Sequence, residues 1–174
     1  VGQYSKGGAT TRESYLRFLK SFADGIGNNK PILIFEPDSL THTGDMSDAD
    51  AQDRISLMKE GLALLTDNCD ALVYVDIGHS NWLSPVRGFA VNVSNYRTTK
   101  ESMEWSLKLC EHRPNDYFVI DTSRNGNGPA GNEWCNPPGR AVGKEPTCNT
   151  GEEQCDAFLW IKIPGESDGK LNKG

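Results

Sequence analysis

Apolar residues along the chain fall into two periods. Short continuous runs rich in β-branched and aromatic side chains occur at residues 32–35, 71–75, 89–93, 117–120 and 158–163, each closed by polar residues or glycine. Runs of that length and composition predict strands buried on both faces. Apolar positions at helical spacing occupy residues 12–23, 48–66 and 99–110, which predicts helices ahead of the first, second and fourth strands. Ser47 stands three positions before Asp50 in a capping-box-like start, with aspartates placed to favour the helix dipole. Strands alternating with helices imply a parallel α/β sheet, either a barrel or doubly wound.

One spacing resists this scheme. Asp76 and Asn92 lie 92 − 76 = 16 positions apart, which leaves only about residues 81–87 to join two strands that ought to be parallel. A parallel crossover takes about a dozen residues or more. The expectation is that a segment between about Pro85 and Val86 is missing from the chain; the alternative is a locally antiparallel pair.

Polar residues fall where the predicted strands end: Glu36 and Asp38, Asp76, Asn92 with Asn95, Asp121, and Lys162. In parallel α/β folds that edge binds ligands, and in barrels its loops carry catalysis. The chain around Gly126, Asn127 and Gly128 runs into Pro129 rather than a helix, so no phosphate loop is present and a nucleotide fold is disfavoured. Asp38 beside Glu36, with Asp76 and Asp168 on the same rim, offers a protonated and an ionised acid flanking one cleft, the need of glycoside hydrolysis. Taken singly, Asp38 also reads as a loop cap through Ser39, and Asp168 as a solvated turn residue.

Trp82 and Trp134 sit in polar loops, where aromatic faces suit sugar rings, whereas Trp105 and Trp160 lie in periodic segments and are expected in the core. His79 reads equally as a sugar ligand, a metal ligand or a strand-end donor, and three scattered histidines make a weak case for metal. Arg124 and Lys162 are expected to hold Asp168 ionised and oriented.

The 174 residues suit one domain spanning 1–174, and no apolar run approaches the roughly 20 residues of a membrane span. A net charge of −6 disfavours polyanions, so neither nucleic acid nor membrane is expected as a partner. Val1 does not read as a natural start. The five cysteines lack Cys-x-x-Cys spacing, which leaves disulfides, with Cys148 and Cys155 closing a turn-rich loop in an oxidising compartment, or else five buried thiols.

Five ordered stretches carry a resemblance: Glu36-Pro-Asp-Ser-Leu40, the run from Tyr74 to Trp82, the run from Gly88 to Arg97, the run from Asp121 to Arg140, and the run from Asp156 to Gly169. Together they resemble glycoside hydrolase family 6, most closely its bacterial endoglucanases. The resemblance implies a distorted parallel β/α barrel, secreted and extracellular, monomeric, without cofactor or metal, hydrolysing β-1,4-glucan with inversion. By the same comparison Asp38 matches the general acid, Asp168 the aspartate usually proposed as base, and Asp76 a third aspartate of the cleft. Trp82, Trp134, His79, Asn95, Lys162 and Glu166 match sugar-contacting positions, Ser5 a serine on a mobile loop, and Glu36 and Arg124 supporting positions.

Departures are part of the same comparison. The family's further aspartate on an N-terminal loop would fall before Val1, and first strands, a helix after Trp82 and a closing helix are expected to be missing. Lys170 stands where relatives often have the cysteine that pairs with the match to Cys135. Cellobiohydrolase action and a non-catalytic glucan-binding derivative are the alternative readings.

Overall fold

The computed structural model describes residues 8–37, 46–76 and 86–169. Among these, the element order is α1 (Arg12–Ile26), β1 (Ile32–Phe35), α2 (Asp48–Asn68), β2 (Leu72–Asp76), β3 (Gly88–Val91), α3 (Thr99–Cys110), β4 (Tyr117–Asp121) and β5 (Cys155–Leu159). Each helix starts on a hydroxyl cap. Thr11 accepts from the Ser14 N–H, Ser47 from that of Asp50, and Thr98 from that of Glu101, while Ser14 and Glu101 reach back to the cap N–H groups. α1 ends at Gly27, whose φ of 58° a side chain would resist.

All four strand pairings are parallel, and the order is β1-β2-β3-β4-β5. Each new strand is added on the same side with no reversal. A doubly wound sheet reverses at a switch point, so this winding is that of a barrel, here incomplete. The parallel β2–β3 pair also removes the antiparallel alternative for the short connection between Asp76 and Gly88.

Strand alternation sorts the side chains onto two faces. Phe35, Val73, Val75, Phe89, Val91, Phe118, Ile120 and Phe158 form one core with Leu19 and Ala23 of α1, Met58, Leu62 and Leu65 of α2, and Cys110 of α3. The opposite face carries Tyr74, Ala90, Val119 and Ala157, with Ile34, Val93, Leu159 and Ile161 packed against them. At the start of the strands a bulge between β4 and β5 falls at Asp156 and re-aims its carboxylate. The Tyr74 hydroxyl donates to it at 2.6 Å, and Arg87 donates through Nε and Nη2, each at 2.9 Å. The Arg87 guanidinium lies 3.4 Å from the centre of the Tyr117 ring, so one ion pair ties β2, β3, β4 and β5 together at that end.

Several expectations shift. α1 and α2 run past residues 23 and 66, and β5 covers Cys155–Leu159 where the apolar run predicts 158–163. Ile32 and Leu72, at the strand starts, are exposed, as are Trp105 and Trp160. All five cysteines are free, so the closure of Cys148 with Cys155 is not formed. Cys155 instead faces the helix-side core as part of β5, while Cys148 is exposed. No described helix is long and apolar enough to cross a membrane.

Two outcomes follow for measurement. A Cβ at Gly88 would fall into the Tyr117 backbone, its partner across β3 and β4. Gly88→Ala is expected to cost at least about 2–3 kcal/mol in urea unfolding; a cost under about 0.5 kcal/mol would contradict the close strand contact. Burial pushes the Cys155 thiol up to about 12 and raises that of Cys110. At pH about 8 a thiol reagent is therefore expected to label Cys148 in the folded protein and to reach Cys155 and Cys110 only on unfolding, which peptide mass mapping will show.

Candidate functional site

Because every strand runs the same way, all five deliver their last residues to one edge. Glu36 follows β1, Asp76 ends β2, Asn92 follows β3, Asp121 ends β4, and the chain beyond β5 continues through Lys162 to Asp168. The organising group is Asp121, 1% exposed. Its Oδ1 accepts from the N–H groups of Ser123 at 2.8 Å and Ile161 at 3.3 Å. Its Oδ2 accepts from Ser94 at 2.9 Å and Lys162 at 3.2 Å. One carboxylate thus satisfies backbone donors of the loops that follow β3, β4 and β5. This capture also explains why β5 stops where it does. The apolar run continues to Ile163, but the N–H groups of Ile161 and Lys162 are taken by Asp121.

The Ser94 turn, held at a φ of 53°, presents its carbonyl to Arg124, which donates to it from Nε at 2.9 Å and also from Nη2. The remaining nitrogen, Nη1, reaches both oxygens of Asp168, at 2.7 and 2.9 Å. Asp168 also accepts from the Asn136 N–H at 3.0 Å, and its own N–H donates to Asn136 Oδ1 at 2.8 Å. The guanidinium carbon of Arg124 lies over the Tyr96 ring, 4.4 Å from its centre. Burial raises the pKa of the Tyr96 phenol; the Arg124 charge opposes that rise and Asp168 adds to it. The expected pairing of Arg124 with Asp168 is present, in a setting where both side chains are largely buried.

Lys162 does not join it. Its ammonium pairs with Glu166 at 2.8 Å, because the backbone of Lys162 is tied down by Asp121 and its side chain extends along its own loop. Glu36 departs as well. A φ of 52° breaks the strand alternation and turns its carboxylate to α1, where Oε1 accepts from the Tyr15 hydroxyl at 2.6 Å. Burial, then that bond, raises the pKa of the Tyr15 phenol. Glu36 accordingly borders a hollow of about 920 Å³ between α1 and α2, away from Asp168.

Asp76 is buried and borders a second hollow, about 410 Å³, with Asn92, Asn95, Arg97, Glu101 and Trp105. Trp134 is half exposed, on the loop that also carries Asn136. Asp38, His79, Trp82 and Ser5 lie outside the described residues. Among the described residues no three His, Cys, Asp or Glu side chains gather where a metal ion could be held. Sequence reasoning places Asp121 on this edge, from its position at the end of an apolar strand, but not as the anchor of three loops, and it misses Tyr96 and Asn136 as site residues.

A sequence profile of the family described as "Glycosyl hydrolases family 6" matches residues 1–85 and, separately, 84–174. The two matches meet where the short connection after β2 pointed to a missing segment. Endoglucanase A of Cellulomonas fimi is 44% identical over 187 residues, covering 99% of this chain and 40% of the relative. Endoglucanase 1 of Streptomyces sp. (strain KSM-9) is 40% identical over 185 residues, covering 97% and 52%. The chain therefore spans about half the length of these curated relatives. Among solved structures, the endoglucanase Cel6 from Mycobacterium tuberculosis, in complex with methyl-cellobiosyl-4-deoxy-4-thio-β-D-cellobioside, superposes with a TM-score of 0.87 at 40% identity. That match covers 97% of this chain and 63% of the other.

Removing the Asp121 carboxylate leaves its four N–H groups without an acceptor. Asp121→Ala is expected to destabilise by on the order of 3–5 kcal/mol in denaturant unfolding. A loss below about 1 kcal/mol would show that water replaces the carboxylate without cost and that the three loops do not depend on it.

Proposed function

The chain belongs to glycosyl hydrolase family 6, and from that premise we propose that it serves an extracellular, inverting endo-β-1,4-glucanase acting on cellulose and related β-glucans. The observation that carries this reading is the Arg124–Asp168 pair, held by the Asp121-anchored loops on the same sheet edge as Asp76. Cellulases of this kind split a glycosidic bond between a proton donor on one side and a water on the other.

In this reading Asp38 protonates the leaving glycosidic oxygen. A water attacks the anomeric carbon from the opposite face, in the gap of about 6.5–9.5 Å that inverting geometry leaves between the two carboxyl groups. Asp168 supports that water. Its oxygens already accept from Arg124 and Asn136, so it acts as an oriented negative charge through which a water network disposes of the proton. Asp76 lines the cleft as a third aspartate. Trp134 offers an aromatic face for a glucose ring, joined by Trp82. The Lys162–Glu166 pair, Asn95 and His79 bind hydroxyls, and Ser5 helps to place the water.

Asp38→Ala, assayed by reducing-sugar release from carboxymethyl cellulose or unmodified β-glucan, is expected to lower the rate by at least about 10²–10⁴-fold. Near-normal hydrolysis would remove Asp38 from the acid role. Product analysis on wild-type protein separates the finer readings. Mixed oligosaccharides with a rapid fall in viscosity support endo action, cellobiose alone indicates a cellobiohydrolase, and binding without hydrolysis indicates a non-catalytic derivative.

A further inference from the structure

Asn136 lies in the loop between β4 and β5 at a φ of 47°, a left-handed conformation, directly before Pro137. Asparagine tolerates that region better than most residues, but a following proline narrows the choice further. The conformation is held by contacts to a single segment. The backbone N–H donates to Asp168 Oδ2 at 3.0 Å, and the side-chain Oδ1 accepts from the Asp168 N–H at 2.8 Å. Nδ2 donates to the Gly169 carbonyl at 2.8 Å, and the Ser167 hydroxyl donates to Oδ1 at 3.3 Å. The side-chain amide therefore behaves as a peptide group would in a strand, offering one acceptor and one donor to the main chain on either side of Asp168.

This matters because of how Arg124 holds the carboxylate. A single nitrogen, Nη1, straddles both oxygens, which leaves the carboxylate free to rock about the line from that nitrogen. A second donor lying off that line, the Asn136 N–H, removes the freedom. We propose that Asn136 is a positioning residue for Asp168, its reciprocal amide pairing with residues 167–169 locking the carboxylate in the orientation that the hydrolytic water requires. The proposal deepens the glucanase reading and rests on it for its kinetic consequence, but not for its geometry.

Asn136 is exposed, so it can be replaced without opening the core. Asn136→Gly keeps the positive φ and the backbone donor and deletes the amide. Asn136→Asp restores the acceptor toward Asp168 but loses the donor toward Gly169 and adds a negative charge. The groups that face Asp168 are Arg124 and Tyr96, with Cys135 next to Asn136 and the Lys162–Glu166 pair on its own loop. None of these changes in either variant.

For Asn136→Gly, kcat on a soluble cello-oligosaccharide is expected to fall about tenfold or more while KM stays within about twofold, with Tm close to wild type. For Asn136→Asp, the added charge disfavours ionised Asp168, so the acidic limb of the kcat profile is expected to move to higher pH by about half a unit to one unit. Carboxyl ¹³C NMR titration of Asp168 reads the same shift without any turnover. Wild-type kcat and pH profile in both variants, or a loss of kcat that tracks a fall in Tm, would overturn the proposal. If the wild-type protein hydrolyses no β-1,4-glucan, the glucanase reading falls, and a crystal structure of Asn136→Gly decides alone: an Asp168 carboxylate that keeps its wild-type orientation overturns the positioning role, and a reoriented one supports it.

Discussion

Parallel strands that end together leave their following loops with backbone donors and no neighbouring strand to accept them. Here one buried carboxylate meets that need. Asp121 takes four N–H groups, from Ser94, Ser123, Ile161 and Lys162, and an ionised acceptor does this better than a neutral one. The consequence runs outward in a single chain of contacts. Ser94, fixed by its N–H, offers its carbonyl to Arg124, and Arg124 offers its last nitrogen to Asp168. The proposed chemistry stands at the end of that chain, on loops whose entry points Asp121 sets.

The two ends of the sheet divide the work. At the strand starts Asp156 binds Tyr74 and Arg87, and Arg87 covers Tyr117, an arrangement that joins four strands and faces no loop of the site. At the strand ends the charged groups point into loops instead. That separation is the usual one for parallel barrels, in which one rim holds the fold and the other varies with function. Between the rims, the sheet separates a helix-side core of phenylalanine and branched residues from an inner face centred on Tyr74, Ala90, Val119 and Ala157.

Much of this is legible in the order of the amino acids. The strands, the helices and the polar residues that close the strands are local signals, carried by periodicity and by where an apolar run stops. The errors also have local causes. The run 158–163 reads as a strand because it is apolar, yet Trp160 and Ile163 are exposed beyond the end of β5. Trp105 has helical spacing and is still exposed, beside the hollow that Asp76 borders. Cys148 and Cys155 are close in the chain, but Cys155 is committed to the helix-side core by strand alternation. Nearness in sequence does not decide which way a side chain faces.

The amino-acid order by itself determined the succession of elements and the strand ends at which polar residues gather, because hydrophobic period and chain direction need no partner to be read. It also held the motifs that mark the family. Only the tertiary structure decided the pairings: that Arg124 alone of the two expected cations reaches Asp168, that Lys162 turns to Glu166, that Glu36 turns to Tyr15, and that Asn136 clasps residues 167–169. Those outcomes depend on backbone torsions at Glu36, Ser94 and Asn136 and on which donors Asp121 has already claimed. A charged side chain pairs with whatever the fold brings within reach, and reach is a property of three dimensions.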